Sequence, residues 1–363
     1  MRILVIRFRQ MGDAILATPL LSTLKANFPD AQIDFVLNER IAPLFEGHPA
    51  ISRIITFTDE ERHSLLNYIR KVWRTVHQTR YDAVIDMRST TNTMLFALCS
   101  LRSRWRIGIC KPYTWGIFNH RFEGCEDNES MISHNLRLAE PLRASMEGKG
   151  WKEDRNLSLS ITDEEKQDFR HYMEQQGIDF RRPVLLVGVT AKLPSKTWPE
   201  DRMTEVLHRF ISAFPQFQLI FNYAPGQEAE NARRIFDRLS SYAATSSQPL
   251  SQPPLQPLPV FLNIEAKSPR QLAAMAANCT AYFGNEGGAR HIVHAMGCPS
   301  LVVCSPGASK TTWLPQDTSV LARGIAATDI ADVSAMSREE QYALITVDRV
   351  WEELENFTLR IQP

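Results

Sequence analysis

The first residues suited to chemistry stand near the start of the chain, where Asp13 follows Met11-Gly12. Residues 3–6 are an aliphatic run that predicts a strand buried on both faces. Apolar residues at helical spacing begin at Asp13 and predict a helix that ends at Asn27-Phe28-Pro29. Ligands of open α/β sheets bind beyond the carboxyl ends of the strands, which places Asp13 to act on a ligand. The alternative is that Asp13 only caps its helix.

A second chemical segment covers residues 283–299, where a predicted strand ends at Gly284 and a helix opens near Ala289. Gly287 and Gly288 lie between them. Glycines at such a turn leave backbone N–H groups pointing outward at the positive end of the helix dipole, which suits an anion. The alternative is a turn that needs glycine only for its dihedral angles. The segment matches neither the Rossmann glycine fingerprint nor the phosphate loop.

Thr190 and Lys196 follow another predicted strand in the same half of the chain. A hydroxyl at a strand tip binds phosphate oxygens, and a flexible lysine neutralises a leaving phosphate. The alternative for Lys196 is an ordinary exposed loop lysine. Together the two segments predict that the second half binds a phosphorylated ligand.

Composition describes a soluble globular protein of two domains. The chain has 363 residues, 44% hydrophobic and 23% charged, with no net charge. It has no apolar run long enough to span a bilayer and no hydrophobic leader at its first residues. Its six cysteines show neither paired nor zinc-type spacing, so we expect reduced thiols and a cytoplasmic protein.

Strand and helix patterns alternate twice along the chain, which predicts two doubly wound parallel sheets facing across a cleft. The boundaries we expect are 1–178 for the first domain, 179–336 for the second and 337–363 for a terminal helix packing back across the domains. The predicted strands are residues 3–6, 32–37, 51–57, 81–87, 105–110, 184–190, 218–223, 260–263, 281–284 and 300–304. Besides the first, the predicted helices are residues 41–45, 65–78, 91–101, 131–142, 163–176, 199–214, 228–242, 268–278, 290–296 and 337–356. Residues 244–259, rich in Ser, Gln and Pro, predict a surface loop.

Residues 62–121 are strongly basic within this neutral chain. They carry eleven Arg and Lys against two Asp. An exposed helix face is enough to explain any one of these basic residues. The excess of positive charge over the whole segment favours binding to an anionic partner or membrane surface. No nucleic-acid motif is present, and no separate amphipathic anchor stands out.

The ordered set of motifs resembles the ADP-heptose–lipopolysaccharide heptosyltransferases, glycosyltransferase family 9, over nearly the whole chain. The matching motifs are Met11-Gly12-Asp13, Tyr81-Asp-Ala-Val-Ile-Asp86, Lys196-Thr-Trp-Pro199, Glu286-Gly-Gly-Ala-Arg-His291 and Gly297-Cys-Pro299, with Pro306-Gly307 as a weaker echo. The resemblance implies a GT-B fold, in which the first Rossmann-like domain binds the acceptor and the second the nucleotide sugar. It also implies inversion at the anomeric carbon with no cofactor and no essential metal.

The resemblance also assigns expected roles on the donor side. Lys196 is expected to be catalytic, stabilising the departing diphosphate with Thr190 and the N–H groups around Gly287 and Gly288. Glu228 is expected to contact the ribose. Glu286 completes the expected donor site, with His291 in a supporting role.

On the acceptor side, the resemblance makes Asp13 the general base that takes a proton from the attacking sugar hydroxyl. The acceptor is expected to be an anionic glycolipid such as a lipid A-linked core saccharide, met at the cytoplasmic face of the inner membrane. Candidate acceptor-binding residues are Arg9, Gln10, Gly12, Arg62, Arg88 and Arg121.

The chain departs from the family pattern at two places. Glu286-Gly287 replaces the family's Asp-Ser/Thr, and Arg9-Gln10 is bulkier and more cationic than the usual small hydroxyl residues. Two alternatives therefore stay open: an enzyme that uses another nucleotide sugar, including an epimerase, and a non-catalytic nucleotide- or saccharide-binding relative with a decayed donor site.

Overall fold

A computed structural model describes residues 1–8, 10–126, 128–146, 150–245 and 258–361, without the side chains of 243–245. Within these residues the chain forms two parallel six-stranded sheets and divides into two compact units. The first unit comprises Met1–Ile161 and Thr311–Ser319, and the second comprises Thr162–Lys310 and Val320–Pro363. Arg9 and residues 246–257 of the predicted loop lie outside the described residues.

The first sheet has the strand order β3-β2-β1-β4-β5-β6. Its strands are β1 (Arg2–Ile6), β2 (Gln32–Asn38), β3 (Arg53–Phe57), β4 (Ala83–Asp86), β5 (Trp105–Ile109) and β6 (His120–Phe122). The helices of this unit are α1 (Met11–Ile15), α2 (Thr18–Asn27), α3 (Asp59–His63), α4 (Leu65–Gln78), α5 (Met94–Leu98), α6 (Met131–Arg137) and α7 (Glu140–Ala144), with 3-10 turns at Glu39–Phe45 and Pro112–Thr114. Residues 3–6 are fully buried, as the aliphatic run predicts for a central strand.

The second sheet has the order β12-β11-β10-β7-β8-β9. Its strands are β7 (Val184–Gly188), β8 (Gln218–Phe221), β9 (Val260–Phe261), β10 (Ala281–Asn285), β11 (Ser300–Val303) and β12 (Ala322–Ile325). The helices that follow α7 along the chain are α8 (Asp163–Gln175), α9 (Glu200–Ala213), α10 (Gln227–Thr245), α11 (Pro269–Ala276), α12 (Gly288–Ala295), α13 (Lys310–Trp313), α14 (Arg338–Leu344) and α15 (Val347–Ile361), with 3-10 turns at Pro194–Lys196 and Ala327–Asp329. Both sheets therefore have the Rossmann order 3-2-1-4-5-6.

Three predicted helices are each split in two. Pro19 has no N–H to donate to the carbonyl of Ile15, and the Thr18 hydroxyl takes that carbonyl instead at 2.7 Å. Pro141 divides the predicted helix 131–142 into α6 and α7 for the same reason. The terminal helix 337–356 breaks at Ile345, whose carbonyl accepts a bond from the buried Trp198 indole at 3.1 Å.

The units divide earlier than the predicted boundary of 178/179. Helix α8 belongs to the second unit because it packs on α11, and Arg270 forms an ion pair with Glu165 there. Helices α14 and α15 are also part of the second unit, where α15 packs on α9. Elements α3, α13, β6 and β12 were not predicted because they bury few side chains and so carry no clear apolar pattern. All six cysteines are free.

Candidate functional site

The first candidate site lies at the carboxyl edge of the first sheet, between β1 and β4. These strands are neighbours, with Ile6 paired to Asp86, and the strand order reverses direction between them. Such a topological switch point opens the crevice in which α/β proteins bind ligands. Asp13 follows β1 at this point, in the first turn of α1.

Asp13 is held in place by a buried arginine. The Arg7 Nη2 atom lies 3.1 Å from Asp13 Oδ1, and both side chains are at most one-tenth exposed. The Arg7 Nη1 atom donates to the carbonyl of Met87, directly after β4, at 3.0 Å. Arg7 thus ties the Asp13 carboxylate to the ends of both central strands. Asp13 is not the N-cap residue of α1, because Gln10 occupies that position.

Two of the predicted acceptor-binding arginines converge on the loop that carries Asp13. Arg88 Nη1 donates to the carbonyl of Phe8 at 2.9 Å, and the Arg62 guanidinium carbon lies 5.7 Å from the Phe8 ring centroid. Gln10 is exposed, and Gly12 is buried as the second residue of α1. This loop therefore presents a carboxylate with cationic groups beside it.

Arg121 is not brought to this loop. It lies in β6, three strands away from β1 in the sheet order. At about 4.8 Å per strand, that separation is about 14 Å. Arg9 lies outside the described residues, so its predicted acceptor contact stays a prediction.

Asp86 shapes this site, although the sequence alone predicts no role for it. Its Oδ1 accepts bonds from the N–H groups of Arg88 at 3.0 Å and Ser89 at 2.8 Å, so it fixes the turn that carries Arg88. Burial raises the pKa of Asp86 to about 6, because the ionised carboxylate loses its hydration. Lys111, which donates to the Arg88 carbonyl at 2.9 Å, adds a further cation. The sequence signal that could have identified Asp86 is a carboxylate at the end of an otherwise apolar strand.

The second candidate site lies at the corresponding switch point of the second sheet, between β7 and β10. Gly188 of β7 pairs with Gly284 of β10, and the strand order reverses direction here. The loop after β7 carries Thr190 and Lys196, and the turn after β10 carries Glu286. Lys196 and Glu286 therefore follow adjacent strands, although they are 90 positions apart in sequence.

Thr190 and Lys196 each contact a predicted donor-site carboxylate. The Thr190 hydroxyl donates to Glu228 Oε2 at 2.9 Å. Lys196 Nζ lies 3.2 Å from Glu286 Oε1, and Oε2 of the same carboxylate accepts bonds from the N–H of Ser305 at 3.2 Å and its hydroxyl at 3.1 Å. The Lys196 side chain is 41% exposed and that of Glu286 is 12% exposed, so the lysine is the more accessible partner.

Asn285 positions the loop that carries Lys196, a role that was not predicted from the sequence. Its Nδ2 donates to the carbonyl of Gly188 at 3.0 Å, and its Oδ1 accepts the N–H of Trp198 at 2.7 Å. One buried amide therefore joins β7, β10 and the residue two positions after Lys196. The sequence signal that could have identified Asn285 is a polar side chain at the end of a buried strand, directly before Glu286.

The glycine turn before α12 is open to a ligand. Gly287 has a φ of 173°, which is extended backbone that any residue adopts, and a Cβ there would meet no described atom within 4 Å. The turn therefore does not need this glycine for its dihedral angles or packing. Gly288 is the first residue of α12, where N–H groups lack helical partners and favour an anion.

His291 is buried inside α12 and close to positive charge. Its Nε2 lies 3.2 Å from Arg290 Nη2. Burial, reinforced by the charges of Arg290 and Lys196, lowers the pKa of His291 well below its usual range. The ring is therefore neutral at neutral pH, which suits the supporting role that we predicted.

One group among the described residues brings three metal-ligand side chains together, and it lies outside both switch points. Cys125, Glu129 and His134 have ligand atoms within 4.8 Å of one another. Arg137 already pairs with Glu129 at 2.8 Å and lies 3.2 Å from His134 Nδ1, so a cation already occupies this cluster. Metal-independent chemistry stays a prediction. In the described part of the chain, no helix is long and apolar enough to cross a membrane.

Comparison with known proteins gives a consistent result. The profile of glycosyltransferase family 9 (heptosyltransferase) matches residues 69–251, which is half of the chain. Lipopolysaccharide heptosyltransferase 3 of Escherichia coli K12 is 24% identical over 61% of this chain, and the match spans 62% of that relative, less than two thirds of its length. Lipopolysaccharide heptosyltransferase 2 of the same strain is 22% identical over 86% of this chain and 85% of its own.

A solved structure supports the fold. The E. coli ADP-heptose lps heptosyltransferase II superposes with a TM-score of 0.71 over 99% of each chain, at 21% identity. The fold is thus of GT-B type, with two Rossmann-like domains. Because the family profile covers half of its residues, the chain belongs to glycosyltransferase family 9 (heptosyltransferase) and is a glycosyltransferase.

Proposed function

We propose that this enzyme moves a heptose, or a related sugar, from an ADP-sugar to an anionic lipopolysaccharide core saccharide, with inversion and without an essential metal. The observation that carries the proposal is the second switch point, where Lys196, Thr190 and the N-terminus of α12 lie on adjacent strand ends. A cation, a hydroxyl and unpaired N–H groups together are suited to a diphosphate. The names of the relatives supply the ADP-heptose and the lipopolysaccharide.

On the donor side, the diphosphate lies over the open Gly287 turn and takes the N–H groups at the start of α12. Lys196 turns from Glu286 toward the phosphates and balances the negative charge that grows as the sugar–oxygen bond breaks. Ser305 keeps Glu286 in place during this exchange. Glu228, held by Thr190, faces the nucleoside and accepts bonds from the ribose hydroxyls.

On the acceptor side, Asp13 takes the proton of the attacking hydroxyl. The hydroxyl oxygen bonds to the anomeric carbon on the face opposite the diphosphate, and the bond to the diphosphate breaks with its electron pair leaving on oxygen. Configuration therefore inverts. Arg62 and Arg88, with Gln10 and Gly12 in the same loop, bind the acceptor's phosphate or carboxylate groups.

Because the proposed acceptor is a glycolipid, we place the reaction at the cytoplasmic face of the inner membrane. Eleven basic residues against two acidic ones in residues 62–121 support this, since anionic lipid surfaces attract such segments.

Nucleotide selectivity tests the donor assignment. Thermal unfolding is followed with increasing ADP, UDP or GDP for the wild type, Lys196→Ala and Lys192→Ala. A bound ligand raises the melting temperature according to its saturation. We expect a rise with ADP that weakens in Lys196→Ala. It should persist in Lys192→Ala, which removes an exposed lysine from the same loop.

Two results would contradict the assignment. A rise with UDP or GDP in place of ADP would mean a different donor class. No rise with any nucleotide would remove the donor site from the second switch point.

A further inference from the structure

Helix α4 exposes an apolar stripe beside the face that it buries. Tyr68, Val72 and Val76 are its buried residues. Leu66 is 81% exposed, Trp73 is 54% exposed and Ile69 is 40% exposed. Leu66, Ile69 and Trp73 lie at positions i, i+3 and i+7 of the helix. They therefore share one side of it, next to the buried face.

The apolar stripe continues onto the end of α5. A groove of about 450 Å³ separates Trp73 from Leu98 and Leu101, both of which are exposed. In the described part of the chain twelve large apolar side chains are exposed, and six lie here. We call this the α4–α5 surface, defined by Leu65, Leu66, Ile69, Trp73, Leu98 and Leu101. Exposed apolar surface this concentrated marks a place where a partner binds.

The surface is bordered by arginines. Arg80 and Arg102 line the groove. Arg70 and Arg74 are exposed on the next side of α4, where they line a neighbouring cavity with Glu61 and Lys71. Helix α4 contains no acidic residue. Among the described residues, no carboxylate forms an ion pair with any of these four arginines. Apolar side chains rimmed by unneutralised cations complement an anionic bilayer, where the arginines meet headgroups and the leucines and tryptophan enter the acyl boundary.

The position of the surface suits a membrane-bound acceptor. Helix α4 begins just after α3, at the carboxyl edge of the sheet, because both follow β3. Arg62, three residues before Leu65, packs over Phe8 in the loop that leads to Asp13. One end of the surface is therefore next to the loop that carries the proposed general base.

We propose that the α4–α5 surface docks this enzyme on an anionic phospholipid bilayer. This proposal rests on the proposed function, because the glycolipid acceptor is the reason for the enzyme to bind a membrane. A second copy of the chain is a poorer occupant, because a symmetric contact would bring the same arginines together.

Vesicle binding tests the proposal. The full chain is sedimented with vesicles of phosphatidylglycerol and phosphatidylcholine, and with phosphatidylcholine alone. We expect binding to the anionic vesicles only. Each arginine near the surface contributes about fivefold, so Arg70→Gln/Arg74→Gln should weaken binding about 25-fold. Leu66→Ser/Trp73→Ser should weaken it at least about tenfold.

A matched control lies on α15. Arg349→Gln/Leu359→Ser removes one exposed arginine and one exposed leucine from the other unit and should leave vesicle binding unchanged. All variants should keep the wild-type melting temperature, because the replaced side chains are exposed. Equal binding by the wild type and both α4 variants would overturn the proposal, and so would absence of wild-type binding. A wild-type dimer that Leu66→Ser/Trp73→Ser converts to monomer, without vesicle binding, would also overturn it.

Transfer assays separate this proposal from the proposed function. Both α4 variants should transfer sugar to a water-soluble, delipidated core saccharide at the wild-type rate, but lose transfer to the same saccharide on its lipid in vesicles. If no acceptor is glycosylated while the vesicle pattern holds, the proposed function fails and the docking surface stands. Loss of both reactions in equal measure would overturn the docking surface.

Discussion

Replacing Lys196 by alanine should weaken ADP binding about 30-fold, whereas replacing Glu286 by glutamine should strengthen it. The two side chains form an ion pair of 3.2 Å at the proposed diphosphate site. Ser305 donates two bonds to the Glu286 carboxylate, which stays in place when the lysine is gone. Lys196→Ala therefore removes an attraction and leaves an unneutralised carboxylate facing the phosphates.

The magnitude follows from charge separation and exposure. Two unit charges 4 Å apart interact by about 4 kcal/mol at an effective dielectric constant of about 20 and by about 1 kcal/mol in water. Lys196 is 41% exposed, so an intermediate value applies. About 2 kcal/mol corresponds to the expected 30-fold loss. The repulsion between the Glu286 carboxylate and the phosphates acts over a longer distance. Removing it should favour ADP binding by about 1 kcal/mol, which is about fivefold tighter binding.

Titration calorimetry with ADP and with adenosine measures both effects. The variants are Lys196→Ala, Glu286→Gln, the double variant and the control Lys192→Ala. Adenosine, which has no phosphate, should bind all four alike, and the double variant should fall between the two single ones for ADP. Weaker ADP binding by Glu286→Gln would contradict this prediction. So would a Lys196→Ala variant that loses adenosine binding as much as ADP binding.

Two further predictions concern the supports of the sites. Gly284→Ala should cost about 3 kcal/mol or more of unfolding free energy, because a Cβ there lies 2.4 Å from the Gly188 carbonyl at a φ of +149°. Gly297→Ala, with a φ of +79° and no described atom within 4 Å, should cost only about 1 kcal/mol in urea unfolding, and equal losses would contradict the steric argument. Asp86→Asn should stabilise the fold increasingly as pH rises from about 4 to 6, because the unfolded carboxyl ionises near 3.8 and the buried one only near 6. The gain should reach about 3 kcal/mol above pH 6 and vanish below about pH 4, and parallel stability–pH curves for the two proteins would contradict it.

Much of the fold was predictable because its periodicity is strong. The predicted bounds of α4 match the observed ones, since apolar residues repeat clearly along it. The pattern did not show which apolar residues are buried. Two apolar faces adjoin on α4, and only packing against the sheet decides that Val72 is buried while Leu66 is exposed.

The candidate sites were predictable as sets of residues but not as contacts. Asp13 and Lys196 were identified from loops after strands, because ligand-binding side chains collect at strand ends. Glu286 was identified from the family resemblance. The Lys196–Glu286 pair and the Asn285 bridge depend on β7 and β10 lying side by side, which the sequence order does not reveal. Asp86 was missed as a support because its role is to accept two N–H groups of its own turn.

Single-turnover sugar transfer by Asp13→Asn tests the central claim most directly. Asparagine keeps the shape and an acceptor oxygen for Arg7, but it does not take up a proton at neutral pH. With ADP-heptose and a core-saccharide acceptor, we expect the transfer rate to fall at least about 100-fold while ADP affinity stays unchanged. Asp30→Asn, an exposed residue of the same unit, should transfer normally. Wild-type turnover by Asp13→Asn would contradict the assignment of Asp13 as the general base.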